Sequence, residues 1–194
     1  MSRWAVLLAM LIAAPVIAQT FSPGELAEPH RKLEGISNCT KCHAEGKQLA
    51  ASLCLDCHTD VKRRVGARSG LHGKLSATDR EQCQNCHKEH QGVAAKLIDW
   101  GRGVNQFDHN RAGYPLRGKH AQQKCQACHD NRRIVDPAVL ATLAKEPRKQ
   151  TWLGIGKACT SCHFDEHRGQ EKKDCESCHV ETAWKPAPRF DHKQ

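Results

Sequence analysis

Apolar positions concentrate at one end of the chain. Behind Arg3, an apolar run extends from Ala5 to Ile17, with Val16 and Ala18 as small residues ahead of the polar Gln19. A positive charge, a short apolar segment and small residues at a cleavage point predict an export signal over residues 1–18. The run is too short for a comfortable membrane span and no second apolar stretch follows it. The expected mature protein is therefore Gln19 to Gln194, in the periplasm. From Gln19 to about Pro29 the pattern predicts coil, and Gly66, Gly70 and Gly73 predict a loop. One later stretch predicts a helix, with Asp136 as N-cap, Pro137 in the first helical position, Ala138 to Lys145 as its body and Pro147 as its stop. This helix reads as a strut between two lobes, 19–129 and 130–194.

Composition sharpens the picture. About 176 mature residues would normally enclose a substantial core, yet only eight aromatics remain: Phe21, Trp100, Phe107, Tyr114, Trp152, Phe164, Trp184 and Phe190. The cysteines suggest what replaces that core. All 12 fall in six Cys-x-x-Cys-His motifs: Cys39/Cys42/His43, Cys54/Cys57/His58, Cys83/Cys86/His87, Cys125/Cys128/His129, Cys159/Cys162/His163 and Cys175/Cys178/His179. In a helical turn, positions i, i+3 and i+4 share a face, so two sulfurs and an imidazole can converge on one flat ligand. That suits haem c, with thioethers to the porphyrin edge and the histidine as proximal iron ligand. Zinc knuckles do not require a histidine directly after the second cysteine, and a disulfide between cysteines so close would staple little chain. Six haem c groups (iron) would each bring an apolar plane to bury, and without them an unfolded chain is expected. The lobes would carry four and two haems.

Seven further histidines remain: His30, His72, His90, His109, His120, His167 and His192. The only methionines, Met1 and Met10, lie in the leader, so bis-histidine ligation is expected throughout, with one histidine spare. His30, His72 and His167 precede the first, third and sixth sites at similar distances and are local candidates there. His109 and His120 both precede the fourth. Sites two and five must recruit ligands from His90, His192 and one of His109 or His120. The aspartates of Phe107-Asp108-His109 and Phe190-Asp191-His192 are candidate acceptors that orient the imidazoles. Two phrases recur, Trp before Phe-Asp-His and His87-Lys-Glu-His90 alongside His163-Phe-Asp-Glu-His167, giving a weak internal duplication.

Saturated iron can carry electrons but has no open position for substrate, and histidine in place of methionine favours low potential. No catalytic constellation is visible. The formal charge of +9 suggests an acidic partner, but after leader loss it is +8, and twelve ionised propionates would bring it to about −4. Nucleic acid is thereby excluded as the expected partner, and Lys62, Arg63, Arg64, Arg68 and Lys74 read mainly as solvated or propionate-pairing residues.

The six motifs, Phe107-Asp108-His109, His120 ahead of Cys125 and the terminal Phe190-Asp191-His192 resemble the class III, low-potential multihaem cytochromes c of anaerobic respiration. The resemblance covers most of the mature chain. It implies a mostly irregular fold with short α-helices and closely stacked haems as the core. It also implies electron carriage among periplasmic or membrane partners, with a membrane quinol oxidoreductase or a terminal reductase as candidates. Six haems and the wide His109–His120 spacing depart from the small family members, so their ligand pairings do not transfer. The final Phe-Asp-His phrase reads as a longer array cut short. Two competing expectations are a multihaem reductase with one open iron and the cytochrome subunit of a quinol oxidoreductase.

Overall fold

The computed structural model describes residues 22–47, 49–147 and 150–191. The expected export signal and His192 lie outside them. The fold is mostly irregular with short helices. Six α-helices are present among the described residues: α1 (Ala51–Cys57), α2 (Thr59–Gly66), α3 (Gly70–Lys74), α4 (Ala77–Glu81), α5 (Cys125–Cys128) and α6 (Pro137–Lys145). The other ordered segments are 3-10 turns and isolated bridges, with no strand among the described residues. No helix there is long and apolar enough to cross a membrane.

Two compact units emerge, and they interleave along the chain. One comprises the described part of Met1–Leu53 with Glu81–Trp100, and the other Cys54–Arg80 with the described part of Gly101–Gln194. This partition differs from lobes divided at residue 130. By position, sites one and three belong to the first unit and sites two, four, five and six to the second.

In the first unit, the segment around residues 24–28 lies along residues 88–93. Gly92 N–H donates to Glu25 O at 3.0 Å and Glu28 N–H to Val93 O at 3.2 Å. Glu89 Oε2 accepts from Ala27 N–H at 2.9 Å, while Glu34 accepts from Leu26 N–H. Leu26 and Ala27 are the buried apolar residues here.

In the second unit, α6 takes the bounds its caps dictate. Asp136 Oδ1 accepts from Ala138 N–H at 3.0 Å and Val139 N–H at 3.4 Å, satisfying donors that a first turn leaves free. The other carboxylate oxygen accepts from Arg63 and Arg64 of α2, each at 2.7 Å. Thr142 of α6 also donates to Asp60 of α2 at 3.1 Å. Far from being a free strut, α6 is thus tied to α2 inside one unit. Two of the five basic residues expected to be solvated or to pair with propionates, Arg63 and Arg64, bind Asp136 at this junction, and Lys62 pairs with Asp56 at 3.1 Å. Partial burial raises the Asp136 pKa, but the Arg63 hydrogen bond, the two N–H donors and the Arg63 charge outweigh it. The net pKa is below the ordinary aspartate value. Ile134 and Val139 are buried beneath α6.

The glycine-marked segment is a correction. Rather than a loop, it ends α2 and forms α3, and these two helices pack on each other. A Cβ on Gly73 would fall 2.5 Å from Arg64 O and 2.5 Å from the Arg68 carbonyl carbon. Glycine is needed there for close backbone approach, and loop-like composition concealed a helix contact.

Candidate haem-binding sites

Each motif forms a single turn with the same closing bond. The N–H of the motif histidine donates to the carbonyl of the first cysteine four residues back, at 2.8–2.9 Å in all six: His43 to Cys39, His58 to Cys54, His87 to Cys83, His129 to Cys125, His163 to Cys159 and His179 to Cys175. Sites two and four lie on α1 and α5, while the others are on 3-10 turns. Each of the 12 cysteines is exposed or half-buried. Among the described residues, no group of three or more His, Cys, Asp or Glu is placed to hold a bare metal ion. Each motif instead offers two sulfurs and one imidazole.

The kind of turn is a correction at four sites. The spacing predicts both cysteines of a motif on one helical turn, and Cys57 and Cys128 do end α1 and α5. Cys42, Cys86, Cys162 and Cys178 instead sit one residue beyond a 3-10 turn, as its C-cap. The N–H of each donates to the first cysteine's carbonyl three residues back, at 3.1–3.2 Å, the tighter closure of a 3-10 turn. At three of these sites backbone returns beside the turn. Asp99 N–H donates to Cys86 O at 2.7 Å, Arg189 N–H donates to Cys178 O at 3.1 Å, and His43 turns from Cys42 into a bridge with Leu49. Cys86 and Cys162 are exposed, and Cys42 and Cys178 are half-buried.

Four of the motif histidines face a second imidazole. Ring centroids are 6.3 Å apart for His43 and His90, 6.2 Å for His129 and His109, 6.0 Å for His163 and His120, and 6.0 Å for His179 and His167. A metal about 2 Å from each of two opposed imidazole nitrogens holds the ring centroids roughly 6 Å apart. The spacing therefore fits one metal held between two imidazoles.

Local structure prepares these rings for that use. A ligating histidine normally donates its other ring N–H to a fixed acceptor, which sets tautomer and orientation. His90 Nδ1–H donates to Gly24 O at 2.8 Å, His109 to Phe107 O at 3.2 Å, His179 to Trp184 O at 2.8 Å and His30 to Glu89 Oε1 at 2.5 Å. His167 Nδ1 lies 3.4 Å from Asp165 Oδ1, whereas His120 Nδ1, 3.8 Å from Glu181 Oε1, is beyond hydrogen-bond reach and buried without an acceptor. Nε2 is the nitrogen these contacts leave for a metal. His129 Nδ1 is buried without a hydrogen-bond acceptor. Burial, then the His109 charge, lowers the His129 pKa and favours the neutral, metal-binding ring.

Several placements differ from expectation. His90, rather than the local candidate His30, faces His43 of site one. His167 lies opposite His179 of site six, His109 opposite His129 of site four and His120 opposite His163 of site five. Asp108 does not orient His109. It caps the following turn, accepting from Asn110 N–H at 2.9 Å and Asn110 Nδ2 at 2.8 Å. The orienting carboxylates are Glu89 and Asp165. Glu89 acts on His30, which is distant in sequence, so only Asp165, two residues before His167, had a local signal.

Sites four, five and six also approach one another through their cysteines. Burial raises the Cys159 pKa, and the charge of Cys175 and a hydrogen bond to it raise it further. Likewise, burial and then the charge of Cys162 raise that of Cys128.

No protein-family model and no solved structure matches the chain. Among characterised proteins it is similar to the high-molecular-weight cytochrome c of Nitratidesulfovibrio vulgaris (strain Hildenborough), at 23% identity over 185 residues. The match covers 78% of this chain and 30% of that protein, so the chain spans less than a third of its relative's length. The similarity supports a multihaem cytochrome c and a role in electron transfer.

Proposed function

We propose that this chain is a periplasmic electron carrier with six covalently attached haem c groups, each iron held by two histidines. The observation that carries the reading is the set of four imidazole pairs at 6.0–6.3 Å, each joining a motif histidine to one outside the motifs. Haem c supplies one-electron chemistry at its iron. The chain's part is to anchor, saturate and orient. Both sulfurs of each motif would hold the haem covalently, the paired imidazoles would ligate its iron, and the Nδ1 acceptors would keep Nε2 free for the metal.

We assign the remaining pairs from the other histidines that each unit holds among the described residues. The first unit holds His43, His87, His30 and His90; with His90 at His43, His30 is assigned to His87. In the second, His58 remains for His72. Each unit is then complete in its own ligands, and His192 is the spare. This assignment moves His30 from site one to site three and His72 from site three to site two. Histidine at every axial position gives low potentials and leaves no open iron, which supports a carrier over a reductase. Its partners are redox proteins, with a membrane quinol oxidoreductase or a terminal reductase as candidates in anaerobic respiration.

Low-temperature EPR of the oxidised purified protein, with haem quantified alongside, tests this reading. Six haems per chain and low-spin signals integrating to all six are expected. A stoichiometric high-spin ferric signal would reveal an open iron and move the protein to the reductase class.

A further inference from the structure

In the sequence Trp184 marks only the approach to Phe190-Asp191-His192. In the structure its indole meets two sites. It stacks on the His179 ring, with centroids 4.1 Å apart and planes 7° apart, and on the His163 ring at 5.6 Å and 11°. All three rings are nearly parallel. A tight local turn produces this arrangement. The Val180↔Ala183 bridge folds the residues after His179 back, and Trp184 O accepts from His179 Nδ1–H at 2.8 Å. Trp152 provides an internal contrast in geometry, because it meets the proximal ring of His129 edge-on, at 4.7 Å and 64°.

An imidazole bound through Nε2 keeps one soft motion, rotation about the metal–nitrogen axis. A flat ring stacked against it resists that rotation, and so does an Nδ1–H bond to a fixed carbonyl. His179 has both restraints and shares the stacking partner with His163. Turning one of the two planes therefore disturbs the indole that holds the other.

We propose that Trp184 is a positioning residue shared by sites five and six, fixing the planes of the proximal imidazoles His163 and His179 together. The proposal rests on the haem-attachment reading above. Axial-ligand orientation is one means by which a protein tunes haem iron, and it sets the g-anisotropy of a low-spin ferric signal. That signal reads orientation separately from haem content.

The test compares EPR spectra of the oxidised full chain with those of three variants, haem being quantified in each. Trp184→Leu removes the flat partner but keeps the backbone carbonyl. It should retain six haems and move the g-values of two signals, leaving four in place. Trp184→Phe should move the same two signals by less, and Trp152→Leu should move a single different one. Six unmoved signals in Trp184→Leu, one moved signal, or a shift of all six would overturn the shared role. If Trp184→Leu loses haem, Trp184→Phe is judged by the same two-signal criterion. Wild-type protein with fewer than six haems, or without low-spin signals, defeats the underlying reading instead, whatever the variants show.

Discussion

Two neighbouring stretches of the second unit are ordered by different means. Around α6, residues 134–155 form a small conventional core. Ile134 and Val139 are buried, Ile134 bridges Ile155, and the N–H groups of Val135 and Asp136 both donate to Gly154 O, at 2.9 and 3.2 Å. A Cβ on Gly154, at φ +87°, would come within 2.8 Å of Ile134 Cγ2, so the packing is close enough to require glycine. Residues 157–191 contain no buried side chain, yet four histidines and a tryptophan are arranged there or reach in. The first stretch draws its order from apolar burial and capping. In the second, the ordered elements are ligand groups, so on the proposed reading its order depends on what they bind.

The strongest way to break this comparison is to remove one attachment site. A variant with both Cys175→Ala and Cys178→Ala should carry five haems rather than six. Hydrogen-exchange protection should collapse around the removed site, over 167–191, while persisting over 134–147, since local stability follows local buried contacts. Mass-spectrometric exchange on the purified full chain reads both stretches at once. Protection surviving in 167–191 would show that this segment has a source of order besides the haem of site six.

A smaller effect is expected at Asp136. Asp136→Asn keeps a capping side chain but removes the charge that Arg63 and Arg64 share, leaving Arg64, with only 12% of its side chain exposed, without its carboxylate. A loss of about 1–3 kcal/mol is expected from chemical or thermal unfolding. The pH dependence has a defined sign. Because the folded-state pKa of Asp136 is lowered, its contribution is complete above the ordinary aspartate pKa and is lost as pH falls through the lowered value. The gap between wild type and Asp136→Asn should therefore be widest near neutrality and close in acid.

The parts legible in the sequence were those whose signals are local. Asp136, Pro137 and Pro147 bound α6 because capping and proline geometry act within a few residues. The six motif turns follow from a spacing that repeats unchanged. Their kind does not, because returning segments cap Cys86 and Cys178 from 13 and 11 residues downstream, and a bridge closes beside Cys42. Other contacts between distant segments were hidden too, since nothing in the spacing says that Arg63 and Arg64 meet Asp136, or that His90 turns to His43 rather than staying beside His87. Gly73 misled because the glycine that permits a loop also permits two helices to touch. Asp108 misled for a related reason, as an aspartate beside a histidine can cap the next turn as readily as orient the ring. Trp184 gave no sign of its double stacking because His163 lies 21 residues upstream.

The smallest effect is expected at Asp130, where the same chemistry recurs six residues before Asp136 without the burial. Asp130 accepts from Arg132 through both oxygens, with the shortest contact at 2.6 Å, and the Arg132 hydrogen bonds are the main cause of a pKa lowered to about 2. Arg132 is 89% exposed, so water and salt screen the pair. The two residues are also close enough in sequence to find each other in the unfolded chain, where the same lowering would persist and cancel. Asp130→Asn should thus leave the unfolding midpoint within error of wild type at every pH, even though a titration of the folded protein finds this carboxyl unusually acidic. Should it destabilise as much as Asp136→Asn, charge pairing alone would account for the α6 junction and the weight given to burial would be misplaced.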